Sequence, residues 1–358
     1  MSQLVVRILA GIAGFVVVAA IGIAGLLSFA ADRANDSWAL VAVASLAAAI
    51  LLYGFVEYAQ TGRVESISRQ FDTRTIVLIP IAIAINIVLG QAVAAALKIP
   101  VYLDSIGTIL VGALAGPIPG AITGLLANLL WTYVVPPPFQ SAYAAPFAVV
   151  AAVIGLMAGG FAFMGWMRPR PGRSGRELTT AAIIAIGLIV ILAVLAYLGY
   201  RAIAGETAVA PTSDDTVFVI LGWIAILLVV GTVVGLLYLL FARRDVTAAY
   251  VVVAGVITGL VAALLSAPIS ANVFGGVTGA GTDFLVAALR QGGADIQAAT
   301  LGQGFISDPI DKVITFFVVY VILGAMAIRT KARFPQGERL IAREGDTDPL
   351  FAAPGGTR

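Results

Sequence analysis

Long apolar runs, each close to the length of a bilayer crossing, follow one another along the chain with short polar breaks between them. A hydrocarbon core takes roughly 17 to 25 apolar residues per helix. That rule places helices near 8–30, 38–58, 75–97, 103–116, 118–134, 145–166, 179–200, 217–241, 246–265 and 309–328. The pattern predicts an all-α polytopic membrane protein with about ten transmembrane helices. The first run is longer than the core of a signal peptide, so it reads as a retained helix even though Ser28-Phe29-Ala30 weakly resembles a cleavage site.

Residues 103–134 read either as one kinked helix or as two helices meeting at Gly116-Pro117, because Pro117 and Pro119 can kink a helix or end it. Charge decides between them. Cytoplasmic loops concentrate Lys and Arg, and the loop carrying Arg63, Arg69 and Arg74 belongs on the same side as the one carrying Arg168, Arg170, Arg173 and Arg176. Two helices in 103–134 put an even number of crossings between those loops; one helix does not. The resulting topology sends only Arg33, Lys98, Arg201, Arg290 and Lys312 to the outer side, with both termini cytoplasmic. The tail 334–358, with its Pro, Gly and alternating charges, reads as a disordered cytoplasmic extension.

Composition narrows the chemistry. The 358 residues are 60% hydrophobic and 11% charged, with a mean hydropathy of +1.03, more apolar surface than a soluble core can hide. The chain has no His and no Cys. Disulfides, thiolate or imidazole metal sites and nucleophiles that rely on a His base are therefore excluded, and no cofactor is expected. A net charge of +2 suggests no nucleic-acid surface.

Two internal features organise the predicted bundle. The segments Gly120–Leu130 and Gly255–Leu265 match without gaps at 8 of 11 positions, and each carries Gly-x3-Gly, Gly120/Gly124 and Gly255/Gly259. Such spacing lets helix backbones approach closely, although an alphabet this poor also produces matches by composition. The outer segment 266–308 is too apolar for an ordinary loop and has no run long enough to cross. Irregular backbone at membrane depth survives where it is buried in protein or lines a wet cavity, so this stretch is predicted to re-enter as a wall or lid. As a phosphate-binding loop its Gly275–Gly281 run is a weak signal, since no Gly-x4-Gly-Lys-Ser/Thr occurs in the chain and no strand precedes it; a flexible exposed loop is the alternative reading.

The run beginning Tyr102-Leu103-Asp104-Ser105-Ile106-Gly107 and continuing through GPIPGAITGLLANLLW, followed by SAPISANVFGGVTGAGTD and SDPIDK, resembles the membrane-embedded substrate-binding S components of energy-coupling factor (ECF) vitamin transporters, in particular a longer, less-characterised subgroup. The resemblance covers 75–166 and 246–333. It implies a six-helix core, four helices from the first stretch and two from the second, with residues 1–60 as a two-helix extension and 179–241 as an inserted helix pair. It also implies a non-enzymatic subunit in a bacterial plasma membrane, binding a vitamin or related small solute near the outer face. A separate coupling membrane subunit and ABC ATPases would drive import.

Candidate solute-binding groups then lie at the outer helix ends: Tyr102, Asp104, Ser105, Thr108, Asn128, Trp131, Tyr133 and Tyr143, with Asn272, Thr278, Thr282 and Asp283 as a second polar set. Each has a structural alternative. Asp104 reads equally as a helix N-cap and Asp283 as the cap of a short helix; Asn128 as an interhelical tie; the aromatics as an interfacial belt. Asp308-Pro309-Ile310-Asp311-Lys312 reads as N-cap, Pro at the first position and an acid at the third of the last helix. Lys312 there either neutralises Asp308 or Asp311 or meets an anionic solute. The small-residue row Ala82, Asn86, Gly90 and Ala94 is the candidate coupling surface. Ala92/Ala96 fit the family's Ala-x3-Ala spacing, while Asn86 interrupts the deeper row; packing within the bundle is the alternative. A self-sufficient secondary transporter would need carboxylates in mid-helix, and the spans above place none there. A sensory membrane domain is the third class, for which the tail is short.

Overall fold

The computed structural model describes residues 3–26, 34–96, 101–173, 175–202 and 216–343. Among these every regular element is helical. In chain order the helices are α1 Gln3–Leu26, α2 Ala34–Thr61, α3 Glu65–Ser68, α4 Thr73–Ala96, α5 Ile106–Ala115, α6 Pro117–Tyr133, α7 Ala148–Phe163, α8 Gly175–Ala202, α9 Thr216–Phe241, α10 Thr247–Phe274, α11 Asp283–Gln291, α12 Ile296–Ala325 and α13 Ile328–Lys331. Six of them, α2, α4, α7, α8, α9 and α10, are long and apolar enough to cross a membrane. The chain is a multi-pass membrane protein.

The split within 103–134 is real. Gly116 takes φ +132°, a backbone that an L side chain rarely adopts, and it separates α5 from α6. All ten residues of α5 are buried, so this helix lies inside the bundle and is walled by α4, α6, α7 and α12. Close helix approach follows from the glycines. A Cβ on Gly120 would stand 2.7 Å from the Gly112 Cα, one on Gly155 2.2 Å from the Gly120 carbonyl carbon, and one on Gly259 2.4 Å from the Pro309 backbone. Both Gly-x3-Gly pairs therefore sit at interfaces that nothing larger than glycine allows, α6 on α5 and α7, and α10 on α12.

The periphery differs from the centre. In the span windows of α7 and α10, 56% of residues are buried, against 11% in α8 and 22% in α9. Helix α8 lies against α10 and α12 while α9 lies against α4 and α12. The 179–241 segment thus flanks α12 on two sides instead of forming a hairpin. At the other edge α1 is bound to α2 by Arg7, which reaches Glu57 at 3.1 Å and Gln60 at 2.7 Å. Ala42 and Leu46 of α2 pack on Ala121, Leu125, Ala148 and Ala152.

The basic loops meet at one end of the bundle. Arg74 donates to the Arg333 carbonyl (3.3 Å), the Gly172 and Arg173 amides donate to the Arg243 and Arg244 carbonyls, and Thr247 donates to the Arg168 carbonyl. That is the clustering the charge argument requires. Arg33, Lys98 and the tail beyond 343 lie outside the described residues.

Three expectations are corrected. Residues 266–308 are largely helical instead of irregular: 266–274 continue α10 past Pro268, 283–291 form α11, and 296–308 are the first turns of α12, with 275–282 left as the glycine turn beside the cavity. The last helix does not begin at Asp308. Its N-cap is Asp295, whose carboxylate accepts from the Ala298 amide at 2.8 Å, and Pro309 lies in its interior. Neither proline ends its helix because each removes one backbone donor and the remaining turns continue beyond it. Finally, residues 334–343 are ordered against the bundle: the Gln336 amide donates to the Leu114 carbonyl, Leu340 is 1% exposed, and Arg339 stands over the Phe163 ring at 3.8 Å.

Candidate solute-binding cavity

The end of the bundle opposite the basic loops holds a cavity of about 290 Å³, near the lower limit of the ~300–1,000 Å³ usual for small-molecule sites. It is built by α4, α6, α7, α10 and α12 with three connecting segments, 101–105, 140–144 and 278–281. The 101–105 segment is fixed by α12. The amides of Tyr102 and Leu103 both donate to one oxygen of Asp311, each at 2.8 Å. These two bonds hold Leu103 in a left-handed backbone, φ +55°, with its side chain wholly buried.

The polar floor is a charge cluster. Lys312, 4% exposed at its side chain, forms an ion pair with the other oxygen of fully buried Asp311, donates to Ser105 Oγ at 2.9 Å, and lies 3.7 Å from Asp104 Oδ1. Asp308 borders the same floor. It accepts only two long bonds, 3.3 Å each, from Ser266 and Ser307, beyond the ~2.5–3.0 Å of a good hydroxyl donor.

The walls are aromatic and apolar. Gly90 has no side chain because the Trp131 ring and the Asp104 Cβ occupy that space: a Cβ there would stand 2.4 Å from the ring. Trp131 is oriented by its indole N–H, which donates to the Phe139 carbonyl at 2.8 Å. Tyr143 meets Phe274 edge-on and Phe147 stacks on the same ring. Asn128 is 5% exposed and lines the cavity with no hydrogen-bond partner among the described residues.

No family model, no curated protein and no solved structure matches this chain.

Tyr102, Asp104, Ser105, Asn128, Trp131, Tyr143, Thr278 and Lys312 come together on the cavity. The others do not reach it. Thr108 is buried against α4, where its hydroxyl accepts from Asn86 Nδ2 at 2.8 Å and Asn86 Oδ1 accepts from the Gly107 amide at 2.7 Å. Asn272 accepts from Gln297 on the surface. Thr282 bonds the Tyr102 hydroxyl at 3.0 Å. Asp283 accepts from the Thr278 amide and hydroxyl and from the Gly279 amide, fastening the glycine turn instead of capping its own helix. Burial pushes its carboxyl up, and those three donors pull the other way. Tyr133 is half exposed. Asp104 caps nothing, since α5 begins after Ser105 without a side-chain cap.

The coupling stripe is also redistributed. Ala82, Asn86 and Gly90 are buried, and the Ala82 carbonyl lies against Gly107. Gly90 and Ala94 form part of the cavity wall, and Ala92 is wholly buried, so Ala82, Asn86 and Gly90 are interior while Ala94 at the outer end of the row stays exposed.

Sequence reasoning missed Gln303, Asp308 and Ser266 as lining groups and Asp311 as the clamp on 101–103. The signal existed: Gln303, Ser307 and Asp311 stand at four-residue steps, as do Asp308 and Lys312, which gives a polar stripe on an otherwise apolar helix. Starting that helix at Pro309 cut the stripe in half. The same correction places buried carboxylates in mid-helix, where none had been expected.

Proposed function

We propose that this chain is the membrane-embedded substrate-binding subunit of an ATP-driven ECF-type importer for a vitamin or related small solute. One observation carries the reading. Asp104, Asn128, Trp131 and the 278–281 turn, separated by up to 177 positions and expected at the outer rim, border one cavity, onto which the Asn128 amide opens with no side-chain hydrogen bond among the described residues. On this reading the chain crosses a bacterial plasma membrane ten times with both termini cytoplasmic, α1–α2 and α8–α9 being additions to the six-helix core. The protein captures its solute without converting it, and a coupling subunit with ABC ATPases supplies the work. Docking then uses a surface other than the buried Ala82–Gly90 row.

A specific observation favours a second reading, a self-sufficient secondary transporter: Asp308 and Asp311 are buried in the interior of α12 beside Lys312, and intramembrane ionisable groups commonly mark ion pathways. Reconstituted vesicles separate the two. The importer reading expects no uptake by this chain alone and ATP-dependent uptake once the coupling subunit and ATPases that co-purify with it are added. Gradient-driven uptake by the chain alone would establish the carrier instead. Mass spectrometry of ligand released from gently purified protein identifies the solute.

A further inference from the structure

We infer that the cavity's occupant is a small organic cation with a flat or apolar body, its positive group seated between Asp104 and Asp308. This rests on the reading of the cavity as a solute site and narrows its chemistry.

The argument is a charge inventory of the described residues. The ionisable groups that border the cavity, phenols aside, are Asp104, Asp308 and Lys312. Lys312 is already committed, because its closest carboxylate is Asp311, which stands behind the cavity wall with its side chain fully buried. Its remaining reach goes to Ser105 and, at 3.7 Å, to Asp104. Asp308 has no cation within salt-bridge distance and accepts only two long hydroxyl bonds. One ammonium thus serves three carboxylates, Asp311, Asp104 and Asp308, of which Asp104 is the most exposed. Carboxylates that share one ammonium favour a proton or a further cation. An anionic solute would deepen the imbalance, and a cation removes it.

The walls choose the kind of cation. A bare metal ion needs several oxygen ligands converging at short range, whereas Asp104 and Asp308 open onto an aromatic and aliphatic chamber. Trp131, Tyr143 and Phe147 line that chamber, and aromatic faces attract organic cations. Asn128 supplies an amide that opens onto the cavity, with no side-chain hydrogen bond among the described residues, for a polar atom on the solute's body.

The test uses a matched series on the purified full-length protein in detergent: benzylammonium, benzyl alcohol and benzoate at neutral pH, with thermal unfolding as the readout, since a ligand that binds the folded state raises Tm with its concentration. The expected result is a saturable Tm rise with benzylammonium, absent with the other two, and weakened by about tenfold or more in apparent affinity by Asp308→Asn. Asp104→Asn, at the more accessible carboxylate, is the second variant if Asp308→Asn does not fold. Equal shifts from amine and alcohol, a shift from benzoate alone, or no shift from benzylammonium overturns the cation assignment. The solute-site reading fails on a different result, a co-purified ligand that Trp131→Ala retains as well as the parent protein does; a neutral or anionic ligand that Trp131→Ala loses refutes only the charge preference.

Discussion

Asp311 and Lys312 are neighbours in sequence, yet their side chains meet inside the bundle and each also holds a second element: Asp311 the amides of Tyr102 and Leu103, Lys312 the hydroxyl of Ser105. Removing one member of a buried ion pair strands the other, at a cost of about 3–5 kcal/mol. Lys312→Met should therefore lower thermal stability sharply, and Asp311→Asn should lower it less, because an asparagine oxygen still accepts from the two amides. The combined variant should be more stable than the sum of the two losses implies; additive losses in a double-mutant cycle would show that the pair is not coupled. At this scale the sequence was informative about cost and less so about partners. A lysine in a helix of such hydropathy had to be paired, and Asp311 was one of two partners expected. Asp104, distant in the chain, joined it because the 101–105 turn folds back onto α12, which no local spacing reveals.

Among the elements, α12 departs most from its sequence reading, and proline is the reason. Asp-Pro followed by an acid has the composition of a helix start, but that chemistry also fits a proline-interrupted helix whose neighbours shield the loss of one bond. Helix α10 makes this possible. Gly259 brings its backbone against Pro309 and Gly255 brings it against Val313, so α12 is supported on the turn that the proline weakens. Gly259→Leu places a side chain where a Cβ alone would stand 2.4 Å from the Pro309 backbone. Overpacking of that kind costs about 1–3 kcal/mol, and here it should push α10 from α12 and reduce binding at the cavity both helices line. A Tm equal to that of the parent protein would show that the contact is dispensable. The glycine spacing itself was legible beforehand, since close approach is written in the residue type. The length of α10 and α12 was not, because the apolar run of α10 gives out at Leu265 and Asp308-Pro309 read as the start of α12.

For the whole molecule, the arginines were the most reliable guide. Their distribution required α5 and α6 to be separate, and the basic loops do meet at one end, away from the cavity. What composition could not convey was arrangement: that α5 is wholly enclosed, that α8 and α9 stand on different sides of α12, and that 334–343 returns to the bundle. Each depends on tertiary contacts between segments of similar apolar character. A chain without cysteine makes topology simple to test. Ala142→Cys should react with a membrane-impermeant maleimide on intact cells, whereas Arg63→Cys and Arg243→Cys should react only after the membrane is permeabilised. Labelling of all three from one side would reject the assigned orientation.

The bonds from Asp311 to the Tyr102 and Leu103 amides fasten one lip of the chamber to α12. The facing lip, 278–281, is held by Asp283, a carboxylate of its own segment that grips three donors. On this geometry the doorway is asymmetric: one jamb is bolted to the long helix α12, and the other is braced from within its own segment and by the Thr282–Tyr102 bond.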